Sequence, residues 1–334
     1  MRITTGNHGF LRQQNLSGVI NLLYENAPVS RAELARLTGL NKATISSLIG
    51  ELIENRFVRE IGESTDKRAG RREVLLDLDP RHGCIISAEI GVGFISLICT
   101  DFTADIVWRH REKTREVEPV KVLGETIKLI RRARSTGERK CGPLLGVAVG
   151  MPGLIDQKSG TLLFAPNLGW SNVDVLKTLT DSIAVPVFIG NEATFAALGE
   201  KYFGVARGAN DVLYVSAGIG IGGGLIIGGQ LYNGAAGVAS EFGHMTMEPG
   251  GRKCACGNFG CWETLASQTS LFRLVGDAIA AGAQSILSTF GGLTVGNIVE
   301  AAEKGDAVAL DALNITGTHL GVGMDALVKT LNPE

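Results

Sequence analysis

The sequence predicts an α/β fold in two lobes, preceded by a small helical unit that carries a β-hairpin. Strand-like apolar runs alternate with helical stripes from residue 84 onward, while residues 16–53 carry helical stripes alone. Between them lies a cation-rich turn flanked by two strand-like runs. A chain of 334 residues has room for two or three such domains.

Taken in order, Leu16, Val19, Ile20 and Leu23 fall at helical spacing and predict a first helix ending near Asn26-Ala27-Pro28. Ser30 followed by Glu33 is a capping box that opens a second helix, which buries Leu34 and Leu37 and stops at Gly39. Asn41 caps a third helix, with Ile45, Leu48, Ile49, Leu52 and Ile53 as its apolar stripe. On the opposite face Ala43, Ser47 and Gly50 form a narrow line of small residues. Such a helix can lie deep in a major groove, so Lys42, Ala43, Thr44, Ser46 and Ser47 are candidate DNA-reading residues. The hairpin that follows carries Lys67, Arg68, Arg71 and Arg72 at its tip, a basic wing suited to phosphate. Together these elements predict a winged helix-turn-helix over residues 1–80.

Asp79-Pro80-Arg81-His82-Gly83 reads as a link into the first lobe, residues 81–190. There, residues 84–88 and 94–99 are strand-like, 101–105 form a turn, 106–108 resume a strand and 120–134 are helical. Residues 144–149 form a buried strand ending at Gly150-Met151-Pro152-Gly153 and Asp156, the kind of strand terminus where α/β proteins bind ligands. Asn167, and Asn191-Glu192 after a strand at 187–189, follow the same logic. A helix over 192–202 and a strand from residue 212 open the second lobe, residues 191–334. Residues 212–240 contain no charge and on length alone could span a bilayer, but seven glycines between positions 218 and 229 disfavour a helix. They read as two buried strands joined by a glycine-rich turn.

A net charge of −2 excludes a basic tail for coating nucleic acid. Residues 1–72 nevertheless hold eleven Lys or Arg against seven Asp or Glu, the sign expected for a DNA-binding segment. The N-terminus has no apolar run of signal-peptide length, which predicts a cytoplasmic chain with reduced cysteines. Cys84, Cys99 and Cys141 sit among apolar neighbours and read as core. His244, Cys254, Cys256 and Cys261 differ: one imidazole and three thiols within eighteen residues suit tetrahedral zinc. Four protein ligands leave no open position, so one structural zinc per chain is expected.

Glu241-Phe242-Gly243-His244 matches the E-x-G-H motif of the ROK family of repressors, open reading frames and kinases, and residues 254–263, CACGNFGCWE, match its C-x-C-G-x-x-G-C-x-E motif. The chain resembles this family over essentially its whole length, and its N-terminal segment resembles the winged helix of the repressor members. That resemblance implies two actin-like (ribonuclease-H-like) lobes with a sugar between them, and sugar contacts at Asn191, Glu192, Glu241, His244 and Glu263. His244 would serve both zinc and sugar. Family members continue into a strand, a glycine pair and a helix that returns to the first lobe, whereas this sequence stops at Asn332-Pro333-Glu334.

The kinase elements are altered. The D-x-G-G-T-K phosphate loop corresponds to Glu89-Ile90-Gly91-Val92-Gly93-Phe94, and the G-T-G-x-G-G-G loop to Gly218-Ile219-Gly220-Ile221-Gly222-Gly223-Gly224. The catalytic aspartate of N-D-A-N is Glu192. The expectation is therefore no enzyme but a sugar-responsive repressor, a homodimer or higher homo-oligomer, with operator DNA and a sugar such as xylose as partners and no membrane. Two rivals are a working ATP-dependent sugar kinase with a DNA-binding arm, and a constitutive DNA-binding protein whose lobes only dimerise.

Overall fold

The computed structural model describes residues 8–63, 73–235 and 237–334. The chain divides into two compact units, Met1–Val149 with Leu176–Phe188, and Gly150–Val175 with Ile189–Glu334. The first opens with α1 (His8–Asn26), β1 (Val29–Ser30), α2 (Arg31–Thr38), α3 (Lys42–Glu54), β2 (Val58–Glu63) and β3 (Val74–Leu78). The expected caps are present. Ser30 Oγ accepts the Glu33 amide at 3.2 Å, Asn41 Oδ1 accepts that of Thr44 at 2.8 Å, and Gly39 takes the left-handed conformation that ends α2. Helix α1 starts well before Leu16, because residues 9–14 are exposed and therefore show no apolar stripe. The strands pair in the order β1-β3-β2, and Val19, Leu34, Ile45, Leu48 and Leu76 fill the core beneath them. Lys67, Arg68, Arg71 and Arg72 lie outside the described residues.

Next come β4 (Cys84–Gly91), β5 (Phe94–Asp101), β6 (Ile106–Lys113), α4 (Pro119–Cys141) and β7 (Leu144–Met151). Helix α4 runs past the expected end at residue 134. Gly137 does not stop it: a Cβ there would lie 2.6 Å and 2.7 Å from the sulfurs of Cys99 and Cys84, so this glycine lets the helix settle on the sheet. Strands β8 (Leu154–Asp156), β9 (Thr161–Ala165) and β10 (Trp170–Val173) form a separate antiparallel sheet, followed by α5 (Val175–Thr180) and β11 (Val187–Asn191). The main sheet has the order β11-β7-β4-β5-β6.

In the second unit, α6 (Glu192–Phe203) packs on β12 (Val212–Ala217) and β13 (Ile221–Ile227), which form an antiparallel sheet with β14 (Gln230–Leu231). The uncharged glycine-rich segment is thus sheet, and no helix among the described residues is long and apolar enough to cross a membrane. Its glycines have a packing purpose. Cβ atoms on Gly222 and Gly224 would lie 2.9 Å and 2.4 Å from those of Ala193 and Ala197, so the bare strand receives α6 directly. The unit ends in α7 (Glu263–Ala266), α8 (Gln268–Ala280), α9 (Val295–Glu303) and α10 (Ala307–Leu331), with Leu271, Val275, Ile298 and Ala309 among their shared core.

The winged elements share their core with the main sheet of the first unit. Phe102 belongs to both, Leu145 packs against it, and the Tyr24 hydroxyl donates to the Phe102 carbonyl. The Phe57 and His82 rings lie 3.8 Å apart, with Phe102 edge-on to His82 at 4.7 Å. Burial lowers the His82 pKa, against the raising influence of Asp79 and a hydrogen bond to the Asn55 backbone. Burial, reinforced by Asp101, pushes the Tyr24 phenol up to about 12 from 10.0. A pKa raised on folding stabilises the native state below the unfolded value, and this contribution disappears as pH rises through the folded one. Because the phenol is only partly buried, solvent screening reduces this contribution, and wild-type stability is expected to fall by about 1 kcal/mol more than that of Tyr24→Phe as pH rises from about 9 to 12. Urea titrations across this range test it, and parallel losses would contradict it.

Candidate metal centre and ligand site

The loop from Glu241 to Glu263 folds on itself through short backbone bonds. Met247 N–H donates to Gly260 O at 2.8 Å, Trp262 N–H to Met245 O at 2.9 Å and Cys254 N–H to Asn258 O at 2.7 Å. Gly260 is obligatory: its φ is +69° and a Cβ would stand 1.7 Å from the Glu248 carbonyl oxygen. This fold brings the ligand atoms of His244, Cys254, Cys256 and Cys261 within 4.8 Å of one another.

The donor set fits a tetrahedral ion in dimensions as well as in chemistry. Bonds of about 2.3 Å to sulfur and 2.0–2.1 Å to nitrogen place neighbouring ligand atoms roughly 3.6–3.8 Å apart. Cys256 and Cys261 sulfurs lie 3.7 Å apart, and Cys254 Sγ lies 3.6 Å from His244 Nδ1. Burial pushes the Cys254 and Cys261 thiols up, with contributions from Glu263 and Cys256 respectively. A cation supplies the opposing field that makes such thiols ligands. The arrangement is compatible with a metal site.

His244 joins this centre to the candidate ligand groups. Its Nδ1 is on the thiol side, 3.8 Å from Glu263 Oε1, while Nε2 points the other way, 3.9 Å from Glu241 Oε2. Burial raises the Glu241 pKa, with Glu263 adding to it and His244 opposing, although 40% of the Glu241 side chain is exposed. Glu263 faces the glycine strand: a Cβ on Gly220 would lie 2.7 Å from Glu263 Oε2 and 3.7 Å from Asn167 Nδ2. A Cβ on Gly222, in β13, would lie 3.9 Å from Glu192 Oε1. Thus Asn167 and Glu263 border Gly220, and Glu192 borders Gly222. Asn191 has a second task as the cap of α6: its Oδ1 accepts the amides of Ala193 and Thr194, and its Nδ2 donates to Gly153 O at 3.3 Å. The Asn167 proximity depends on a contact between distant segments, which no local motif announces.

Trp262, between Cys261 and Glu263, anchors the loop. It is fully buried, and its indole N–H donates to the His319 carbonyl of α10 at 2.8 Å.

The two segments that resemble kinase phosphate loops each carry packing of their own. The Phe94 ring lies over Gly91, where a Cβ would meet it at 2.2 Å, and the Arg111 guanidinium stacks on that ring at 3.7 Å. Ile219 exposes its side chain, while its carbonyl accepts the Thr269 hydroxyl at 2.7 Å. On the winged elements, Lys42, Ala43, Ser46 and Ser47 are exposed on α3, and Thr44 is half-buried in its first turn.

Residues 85–334 match the ROK family and residues 14–69 the MarR family. The chain belongs to the ROK family. The xylose repressor of Caldicellulosiruptor bescii is 36% identical over 98% of this chain and 83% of its own length. The crystal structure of a ROK family transcriptional regulator, a homologue of the E. coli Mlc protein, superposes with a TM-score of 0.82 at 27% identity, covering 97% of this chain and 82% of that one. A ROK glucokinase from Streptomyces griseus, solved with glucose and AMPPNP, gives 0.65 at 32% identity over 75% of this chain and 81% of its own. These likenesses give the architecture: a MarR-type winged helix-turn-helix on the actin-like ROK fold.

The Trp262 anchor of this ROK chain leads to a test. A Cβ on Gly323 would lie 2.1 Å from the buried indole ring. Alanine gains about 1 kcal/mol over glycine in a helix, but overpacking of a filled core costs typically 1–3 kcal/mol and more at such distances. Gly323→Ala is expected to lower the melting temperature by a few degrees; a rise would show that the ring has room to move.

Proposed function

We infer that this chain is a sugar-responsive transcriptional repressor: the winged unit binds operator DNA, and a sugar held in the kinase-like site releases it. It is a regulator and not an enzyme. The observation that carries this reading is one chain with a DNA-binding unit, a retained set of sugar-binding residue types and altered phosphate-binding loops. Asn191, Glu192, Glu241, His244 and Glu263 are the proposed sugar contacts, because their amide, imidazole and carboxylate groups suit hydroxyl recognition. Lys42, Ala43, Thr44, Ser46 and Ser47, with the wing cations Lys67, Arg68, Arg71 and Arg72, are the proposed DNA contacts. Xylose is the first sugar to test, since the similar Caldicellulosiruptor protein is named for it. A cytoplasmic homodimer is the proposed assembly.

Zinc is the proposed metal, because one imidazole and three thiolates form a closed tetrahedral set and the ion needs no redox chemistry. When bound, it supplies a structural cross-link that fixes the loop and the His244 ring. Elemental analysis is expected to give one zinc per chain, with Cys261→Ser losing it and chelation lowering the melting temperature. A metal-free chain that remains equally stable and still binds sugar would contradict the assignment.

The coupling is tested with the full chain. At about 100 times its dissociation constant, the sugar adds roughly 2.7 kcal/mol to stability. By linkage it also weakens operator binding by the factor by which operator weakens sugar binding, typically about 5–150-fold. Glu263→Gln is expected to abolish both effects and to leave sugar-free operator binding intact. If the stabilising sugar leaves operator affinity unchanged or increases it, release by sugar is wrong.

A further inference from the structure

Helix α3 does not present its exposed side alone. Ala43, Ser47 and Glu51 follow one another at four-residue steps and share a flank of that side, so a carboxylate stands one turn beyond Ser47. A carboxylate there is a poor neighbour for a duplex that carries one phosphate charge per about 1.7 Å of its axis. The first helix answers this charge. Arg12 Nε donates to Glu51 Oε2 at 2.9 Å, its Nη2 also bonds that oxygen, and the same Nη2 lies 3.4 Å from Ser47 Oγ. Thirty-nine residues separate Arg12 from Glu51, and the guanidinium comes from the exposed first turns of α1.

An exposed ion pair contributes little to folding, and this one leaves 48% of the Arg12 side chain and 35% of the Glu51 side chain exposed. Its location gives it another use. We propose that Arg12 is a positioning residue of the DNA interface: it neutralises Glu51 on the groove-facing side of α3 and holds the Ser47 hydroxyl in place for the duplex. This rests on the reading that α3 binds DNA. Glu54 lies on the same side but is the last residue of α3, farthest from the end that enters a groove in helix-turn-helix docking.

The sign of the effect separates this role from a merely structural one. Without Arg12 the groove meets an uncompensated acid; without Glu51 it meets a free guanidinium. Removing both leaves neutrality, so the second substitution repairs the first.

The probe is a duplex enriched by the full wild-type chain from a random-sequence library, with binding measured by fluorescence anisotropy. Arg12→Ala is expected to weaken binding at least about tenfold, with the melting temperature nearly unchanged. Glu51→Gln should bind as tightly as wild type or more tightly, and the double variant within about threefold of wild type. Wild-type affinity in Arg12→Ala overturns the proposal. So does a double variant as weak as Arg12→Ala, because Arg12 would then act without Glu51. Ser47→Glu distinguishes the underlying reading: if it binds like wild type, or if no duplex is enriched, DNA reading by α3 fails and the role of Arg12 falls with it. Loss in Ser47→Glu without loss in Arg12→Ala removes the Arg12 role alone.

Discussion

The ligand site of the second unit depends on the convergence of His244 with three cysteine sulfurs. Cys254 and Cys261 are buried beside the partly exposed Cys256, and burial holds both thiols neutral until a cation offsets its cost. The same convergence fixes an imidazole with one nitrogen toward sulfur and the other toward Glu241. Cys261 is followed by the buried Trp262 and then Glu263, so candidate metal ligand, anchor and proposed recognition carboxylate occupy three consecutive residues. Hydroxyl recognition needs donors and acceptors held in position before the ligand arrives. Here the loop of the candidate metal cluster, anchored on α10 through Trp262, supplies such positioning.

A comparable constraint governs the first unit. The segment expected as a link, residues 79–83, is folded into the structure: Asp79 N–H donates to Phe57 O at 3.0 Å, and Cys84 N–H to Pro143 O at 2.9 Å. With the His82 ring against Phe57 and Phe102, the winged elements continue the sheet's packing instead of hanging from a tether. A packed joint transmits displacement where a flexible linker absorbs it.

The legible parts of the sequence were those governed by local chemistry. Ser30, Gly39 and Asn41 marked the ends of α2 and α3 because capping is decided within a few residues. The four metal-ligand candidates were legible from residue type alone, since neither His244 nor the cysteines around it fit an apolar stripe. Long-range contacts were not legible. Gly137 looks like a helix stop until the sulfurs of Cys84 and Cys99 are placed beneath it, and Asn167 reaches Gly220 and Glu263 by tertiary folding alone. The first turns of α1 escaped because exposed helix has no apolar period, and Gly317, Gly321 and Gly323 weaken the helical signal of α10. Short strands β8 to β10 are each too brief to show alternation.

The altered phosphate loops bear on what kind of sensor this chain can be. The Phe94 ring occupies the space over Gly91 and carries Arg111, so this loop is filled by its own side chains. Ile219 likewise presents an exposed apolar side chain on a loop tied to α8 through Thr269. A regulator that phosphorylated its effector would convert the signal into another compound during each binding event. An equilibrium sensor instead requires the sugar to leave unchanged, so that occupancy follows concentration and the binding free energy goes into shifting the DNA-binding equilibrium. The proposed hydroxyl-binding residues, together with loops carrying Phe94 and Ile219, fit that requirement.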